Sequence, residues 1–398
     1  MGTVYLCIVI FLLCLAVFDL FVGVSNDAVN FLQSAIGAKV AKFRTVLIIA
    51  SFGVVLGAIM SSGMMDIARH GLISPDHFTF EEVMTLFLAV MVTDVIVLDV
   101  FNTFGMPTST TVSLVFELLG GAFILATLKM IGDDSLNYGV LLNSDKALEV
   151  IMGIFSSVII AFVFGIIVMW LSRVVFTFNY RKHSRYSIAI FGGISFTVLS
   201  YFIFMKGLGK SPYLPSEWHD FIDQNIGTLL CATFVISAIV MEFLHLCRIN
   251  IFKLTVLMGT FALAMAFAGN DMVNFIGVPL AGLSSYNDYM ANANGAAPDS
   301  FMMTSLMESA KTTPAYLLAA GFVMIIAMAT SKKAQNVIKT SVDLSRQDEG
   351  DEMFGSSSAA RIIVRSCQSA DSWLSRFLPK SLKLWINKRF DKNDVELE

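Results

Sequence analysis

Charge is scarce in this sequence. Of 398 residues only 15% are Asp, Glu, Lys or Arg, against roughly 25% in soluble domains, which excludes an ordinary water-soluble globule. Basic residues are also in deficit: 27 Lys and Arg face 31 Asp and Glu, a net charge of −4. A nucleic-acid-binding face needs a basic excess, so no nucleic-acid partner is expected. The five cysteines (Cys7, Cys14, Cys231, Cys247, Cys367) form no C-x-x-C pair, and four lie in or beside apolar runs. That excludes a disulfide framework and a zinc site and reads them as packing residues. HExxH, GxSxG, a Walker loop and the dinucleotide fingerprint are all missing, so no enzyme class, no cofactor and no ATP-driven pumping is indicated.

What is abundant is apolar sequence, 56% of the chain with 34 Phe and 22 Met, at a mean hydropathy of +0.72. It is arranged in runs of about twenty residues, the length that spans a bilayer core. The runs are Val4–Gly23, Val46–Met65, Val83–Phe101, Thr111–Met130, Val150–Leu171, Ser187–Met205, Ile226–Leu246, Leu254–Gly269 and Thr312–Thr330. The fold class is therefore an all-α polytopic membrane protein of about nine spans. The first run is not a cleavable signal peptide, because it lacks a basic n-region, is too long for an h-region and contains Asp19.

If each run crosses once, Lys39, Lys42, Arg44, Arg173, Arg181, Lys182, Arg185, Arg248 and Lys253 collect in short loops on one side. On the other side Arg69, Lys129, Lys146, Lys206, Lys210 and Lys311 are spread over longer ones. The positive-inside rule makes the first side cytoplasmic and leaves the N-terminus outside. The tail from Ser331 to Glu398 falls on the cytoplasmic side and is a surface segment with twelve Lys/Arg and ten Asp/Glu. In it Trp373, Leu374, Phe377, Leu378, Leu382, Trp385 and Ile386 recur at helical spacing, fitting either a helix packed on protein or one lying in the membrane interface.

Two polar clusters interrupt the apolar sequence with the same string, N-D-x-V-N-F: Asn26-Asp27-Ala28-Val29-Asn30-Phe31 and Asn270-Asp271-Met272-Val273-Asn274-Phe275. Each follows small residues and precedes a short apolar stretch, the pattern of a broken transmembrane helix. By the crossing count the two run in opposite directions. Inverted repeats with discontinuous helices place a substrate site where the half-helices meet, which points to a secondary transporter. The organisation expected is a first repeat over 1–131, central helices over 132–253, the start of an inverted second repeat over 254–330, and the tail over 331–398.

A third cluster, Gly105-Met106-Pro107-Thr108-Ser109-Thr110-Thr111, stands ahead of the fourth run. Hydroxyls at a helix N-terminus, beside amides that have no intrahelical acceptor, suit an oxyanion; an N-cap with surplus threonines is the other reading. Within the runs lie Asp19, Asp27, Asp94, Asp99, Glu117, Glu242 and Asp271, with no Lys or Arg at the same depth. Each is costly there unless paired, protonated or facing a polar cavity. Carboxylates beside an anion site make electrostatic sense if a cation binds too, so Asp27 and Asp271, with Asn30 and Asn274, read as coupling groups for Na⁺ or H⁺. Asp94, Asp99, Glu117 and Glu242 fit helix-to-helix hydrogen bonding equally well, with His245 as the expected partner of Glu242.

On these residues the sequence resembles the PiT inorganic phosphate transporters, whose repeats each begin with a G-A-N-D-V-A-N-type motif. Gly23–Asn30 and Ala268–Asn274 stand at those places, Gly105–Thr111 matches G-x-P-x-S-T-T, and Asp66-Ile67-Ala68-Arg69-His70-Gly71-Leu72 is similar to E-T-I-R-K-G-I. The resemblance implies cation-coupled phosphate symport by alternating access in a protein that dimerises. Ser109, Thr110, Thr111, Asn26 and Asn270 would hold phosphate, and Asp27 and Asp271 the Na⁺ or H⁺. The alternatives are a permease for sulfate or another tetrahedral oxyanion, and a non-transporting scaffold. The family's His after S-T-T is Val112 here, Phe52–Val55 lacks the family's Glu, and no second P-x-S-T-T follows Asp271. The last difference reads as a fragment of a longer transporter or a site completed by a neighbouring subunit.

Overall fold

In membrane the backbone has no water to bond, so apolar stretches must satisfy their amides internally and become helices. The computed structural model describes residues 2–60, 73–132, 136–179, 187–201, 216–307, 313–345, 355–377 and 379–391, and the regular structure among them is helical. The helices are α1 Gly2–Asp27, α2 Val29–Gly37, α3 Phe43–Met60, α4 Phe80–Phe104, α5 Thr110–Gly132, α6 Tyr138–Leu141 and α7 Ser144–Phe176. They continue with α8 Ser187–Tyr201, α9 Ser216–Leu246, α10 Ile251–Asn292, α11 Pro314–Thr330, α12 Lys332–Leu344, α13 Ser358–Phe377 and α14 Lys380–Arg389.

Six helical segments among the described residues are long and apolar enough to cross a membrane, and the pair α11–α12, bent by 69°, makes a seventh if taken as one span. The apolar helices α3 and α8 are shorter. Among the described residues, length and composition thus identify six or seven of the nine expected spans.

The expected helix breaks are absent. Ala28, between α1 and α2, has right-handed helical dihedrals (φ −56°, ψ −26°). Its amide bonds Val24 O at 3.0 Å and its carbonyl accepts from Leu32 N at 3.1 Å, so the helix runs on through the first N-D segment. The second segment sits inside α10, whose 42 residues also contain Pro279, a length of about 60 Å. Asn and Asp have modest helix propensity, but an unwound turn would expose amides that nothing apolar can satisfy.

Two apolar clusters meet along α1. Val9, Leu12 and Leu15 pack with α4, α5 and the outer half of α10; Ala16, Leu20 and Val24 pack with α2, α3, α10, α11 and α12. Directions follow from close approaches. Gly53 and Gly57 of α3 meet Phe261–Met265 and Met265–Ala268 of α10, a parallel pair, whereas Gly23 and Gly282 meet Phe275 and Leu12, which sets α1 and α10 antiparallel. The two N-D segments thus point opposite ways, as the inverted repeat requires.

Three further expectations are corrected. All five cysteines are exposed, not packed inside. Glu242 has a buried Oε2 without a hydrogen-bond partner among the described residues, so His245 does not serve it. The start of the tail folds back into the protein: Ala334, Val337 and Ile338 of α12 are buried, and Lys333 Nζ bonds Asp99 Oδ1 at 2.6 Å, supplying the cation the apolar runs lack. Asp66–Leu72 lies outside the described residues.

The α3–α10 contact gives a prediction. A Cβ on Gly57 would stand 2.1 Å from the Met265 carbonyl oxygen, whereas one on Gly120 meets nothing within 4 Å. Gly57→Val is expected to abolish the monodisperse peak on size exclusion in detergent, and Gly120→Val to leave it unchanged.

Candidate functional site

The site forms where α4 ends and α5 begins. Thr79 and Glu82 close a capping box at the start of α4. Gly105, at φ +67°, ends the helix, a left-handed conformation that glycine adopts without strain. Just before it, Asn102 is buried, and its Nδ2 donates to the Val22 carbonyl of α1 at 2.6 Å. Asn26 of α1 answers: its Nδ2 donates to Asn102 Oδ1 at 2.8 Å and to the Met106 carbonyl at 3.0 Å. Its Oδ1 accepts from Thr108 N at 2.7 Å. This clamp fixes the turn that presents the hydroxyl cluster.

Thr110 opens α5 and is 2% exposed. Its hydroxyl donates to Asp27 Oδ2 at 2.8 Å. From α10, Asn274 Nδ2 donates to Thr110 Oγ1 at 3.1 Å and to Thr111 Oγ1 at 3.0 Å. Ser109 is exposed, and its Oγ accepts the Val112 amide at 3.3 Å as a helix cap. On the other side of α1, Ser25 Oγ lies 2.7 Å from Ser331 Oγ at the α11–α12 bend. The hydroxyl cluster, the first N-D segment and Asn274 of the second are therefore one network.

A second polar layer lies two helical turns further along. Asp19 of α1 and Asp94 of α4 are fully buried with their carboxyl groups in hydrogen-bonding range of each other. Neither has a donor among the described residues. Beside them on α5, Ser113 donates to Glu117 Oε1 at 2.8 Å. An ionised Asp at the centre of a membrane helix costs about 2.5–3.5 kcal/mol, so this layer is expensive unless something neutralises it.

Of the residues singled out in the sequence, Asn26, Asp27, Ser109, Thr110, Thr111 and Asn274 come together here. Asn30, half-buried, takes no part in the network, and Asp99 is held by Lys333. The side chains of Asn270 and Asp271 lie outside the described residues. Asn102 was missed, because a lone Asn near the end of an apolar run carries no motif. Its spacing from Asp94, matching that of Asp27 from Asp19, was the available signal.

A polytopic helical bundle with an internal polar site at the junction of antiparallel, motif-bearing helices is the build of a membrane transporter. The chain matches the phosphate transporter family over residues 23–341 and belongs to it. It is a transporter, not an enzyme, and its family establishes phosphate transport as its function class. No curated protein matches it in sequence. Among solved structures it is similar to a sodium-dependent phosphate transporter, with a TM-score of 0.60 and 20% identity over 85% of this chain and 78% of that one, a likeness of fold.

The clamp and the Asp99–Lys333 bridge predict different costs. Asn102→Ala leaves one N–H of the buried Asn26 amide and the Val22 carbonyl without their Asn102 partner and should cost about 1–3 kcal/mol. Asp99→Asn breaks a pair whose side chains are 48% and 44% exposed and should cost about 0–1 kcal/mol. Thermal unfolding in detergent should rank them so; equal midpoints would remove the clamp from the account.

Proposed function

We propose that the chain carries inorganic phosphate by alternating access in symport with Na⁺ or H⁺, with Ser109, Thr110 and Thr111 as donors to the anion, aided by Asn26 and Asn270. Asp27 and Asp271, with Asn30 and Asn274, hold the driving cation. The observation that carries this reading is the Thr110 hydroxyl, which donates to Asp27 and accepts from Asn274. While Asp27 is uncompensated it takes the Thr110 proton as its hydrogen bond. A cation or proton on Asp27 releases that hydroxyl toward an anion at the α5 N-terminus, where unpaired amides already favour negative charge. Binding of each partner thus favours the other, the thermodynamic content of symport.

Phosphate is preferred over sulfate because of the same carboxylate. Asp27 Oδ2 stands 2.8 Å from Thr110 Oγ1, where it can accept a hydrogen bond from a protonated phosphate; sulfate offers none at neutral pH. Sodium is a candidate cation because the similar solved structure is a sodium-dependent transporter. We place the N-terminus outside and the tail in the cytoplasm, on the strength of the basic loops, and infer a homodimer in the lipid. The wholly exposed apolar stretch of α7 offers surface to both partner and lipid.

In proteoliposomes, Ser109→Ala and Thr110→Ala are expected to cut labelled phosphate uptake by about tenfold or more, the range for losing a donor to a desolvated anion, with yield and monodispersity unchanged. Excess sulfate should leave wild-type uptake intact. Wild-type flux in both variants would remove the hydroxyl cluster from the substrate site.

A further inference from the structure

Resting on the transport reading above, we propose that Asp19 and Asp94 share one proton and that this pair, two turns from the anion site, is a second, proton-coupling element that acts on the cation site at Asp27. The argument is geometric. The three helices that build the anion site each carry polar residues at two levels: Asp19 and Asn26–Asp27 on α1, Asp94 and Asn102 on α4, and Glu117 and Thr110 on α5. At 1.5 Å per residue the levels are about 10–12 Å apart. At the first level every described carboxylate or amide of the network has a partner. At the second, Asp19 and Asp94 are each 0% exposed, and all four of their carboxyl oxygens lack a hydrogen bond from any described donor. The two carboxyl groups lie close enough to interact, and a pair of carboxyl groups can share a hydrogen bond only when one of them carries a proton.

A metal cation suits this place poorly. Hard cations take about six oxygens, commonly including freed backbone carbonyls, but α1 and α4 are regular helices at Asp19 and Asp94, so those carbonyls are committed to their own helices. Among the described residues no three acidic, His or Cys side chains are gathered closely enough to hold a metal ion. A proton needs only the two carboxyl groups. It binds to the pair from one side of the membrane and leaves to the other, and no further bond changes.

The groups facing the pair are few. Asp27 lies along α1 and Glu117 across on α5, both within electrostatic reach, and Ser113, bonded to Glu117, stands beside Asp94. Neighbouring α10 has no titratable residue over 274–285, nor has α11 over 317–330. α12 meets α1 at Ser25, away from the pair, and its Lys333 is occupied by Asp99. With no cation nearby among the described residues, a proton gained or lost at Asp19–Asp94 changes the field at Asp27 directly, and through Asp27 the freedom of the Thr110 hydroxyl.

The test uses the full chain in proteoliposomes, with voltage clamped by potassium and valinomycin and external pH fixed so that external phosphate keeps one protonation state. An alkaline lumen should drive concentrative uptake of labelled phosphate by the wild type. In Asp19→Asn and Asp94→Asn the new amide donates to the remaining carboxylate, which keeps the contact without a proton. Both variants should lose the gradient-driven uptake by about tenfold, while phosphate–phosphate exchange at symmetric pH, which needs no net proton movement, stays within about threefold of wild type. Asp19→Glu should restore part of the gradient response. Gradient-driven uptake surviving in both Asn variants overturns the proposal, as does joint loss of exchange and gradient response in both, since the pair would then be structural. Wild-type uptake driven by sodium alone also overturns it and leaves phosphate carriage standing. Absence of exchange in the wild type would instead overturn the transport reading and the proposal with it.

Discussion

Everything in this bundle depends on where polar groups find partners without water. The Thr110 hydroxyl shows the constraint most plainly: it gives its proton to Asp27 of α1 and accepts from Asn274 of α10. One oxygen joins three helices, two of them from opposite repeats. In water such bonds would contribute about 1 kcal/mol each. Inside an apolar bundle the alternative is an unmatched buried group, so the bond also dictates which helix ends may approach.

The same constraint explains what could be read from the sequence. The N-D-x-V-N-F repeat and the Pro107–Thr111 cluster were legible because polar residues are conspicuous among apolar ones, and the structure brings Asn26, Asp27, Thr110, Thr111 and Asn274 together. The continuity of the helices was not legible. Asn-Asp-x-x-Asn reads as a break because those side chains compete for backbone groups; here Asn26 and Asn274 spend their amides on other helices instead, so the helix persists. Asn102 was hidden for the opposite reason, a single residue whose role exists only once α1 and α4 are parallel.

The tail was misjudged on composition. Its charge count is that of a surface segment, yet Ala334, Val337 and Ile338 recur at helical spacing and are buried beside α2 and α1. The 69° bend between α11 and α12 turns that stripe under the bundle, and Ser331, at the bend, meets Ser25 directly before the N-D segment. A boundary drawn on charge alone cannot see a turn made by one capped serine.

The antiparallel setting of α1 and α10 explains why the motif is duplicated at all. Asn274, from the second repeat, is what reaches the hydroxyl cluster of the first. Its counterpart Asn30 is half-buried and has no side-chain hydrogen-bond partner among the described residues. Among the described residues, the polar groups gathered at this junction come from one hydroxyl cluster and both N-D segments. Among the described residues no basic group answers the buried carboxyls of Asp19 and Asp94, whereas Asp99, nearer the end of α4, has Lys333.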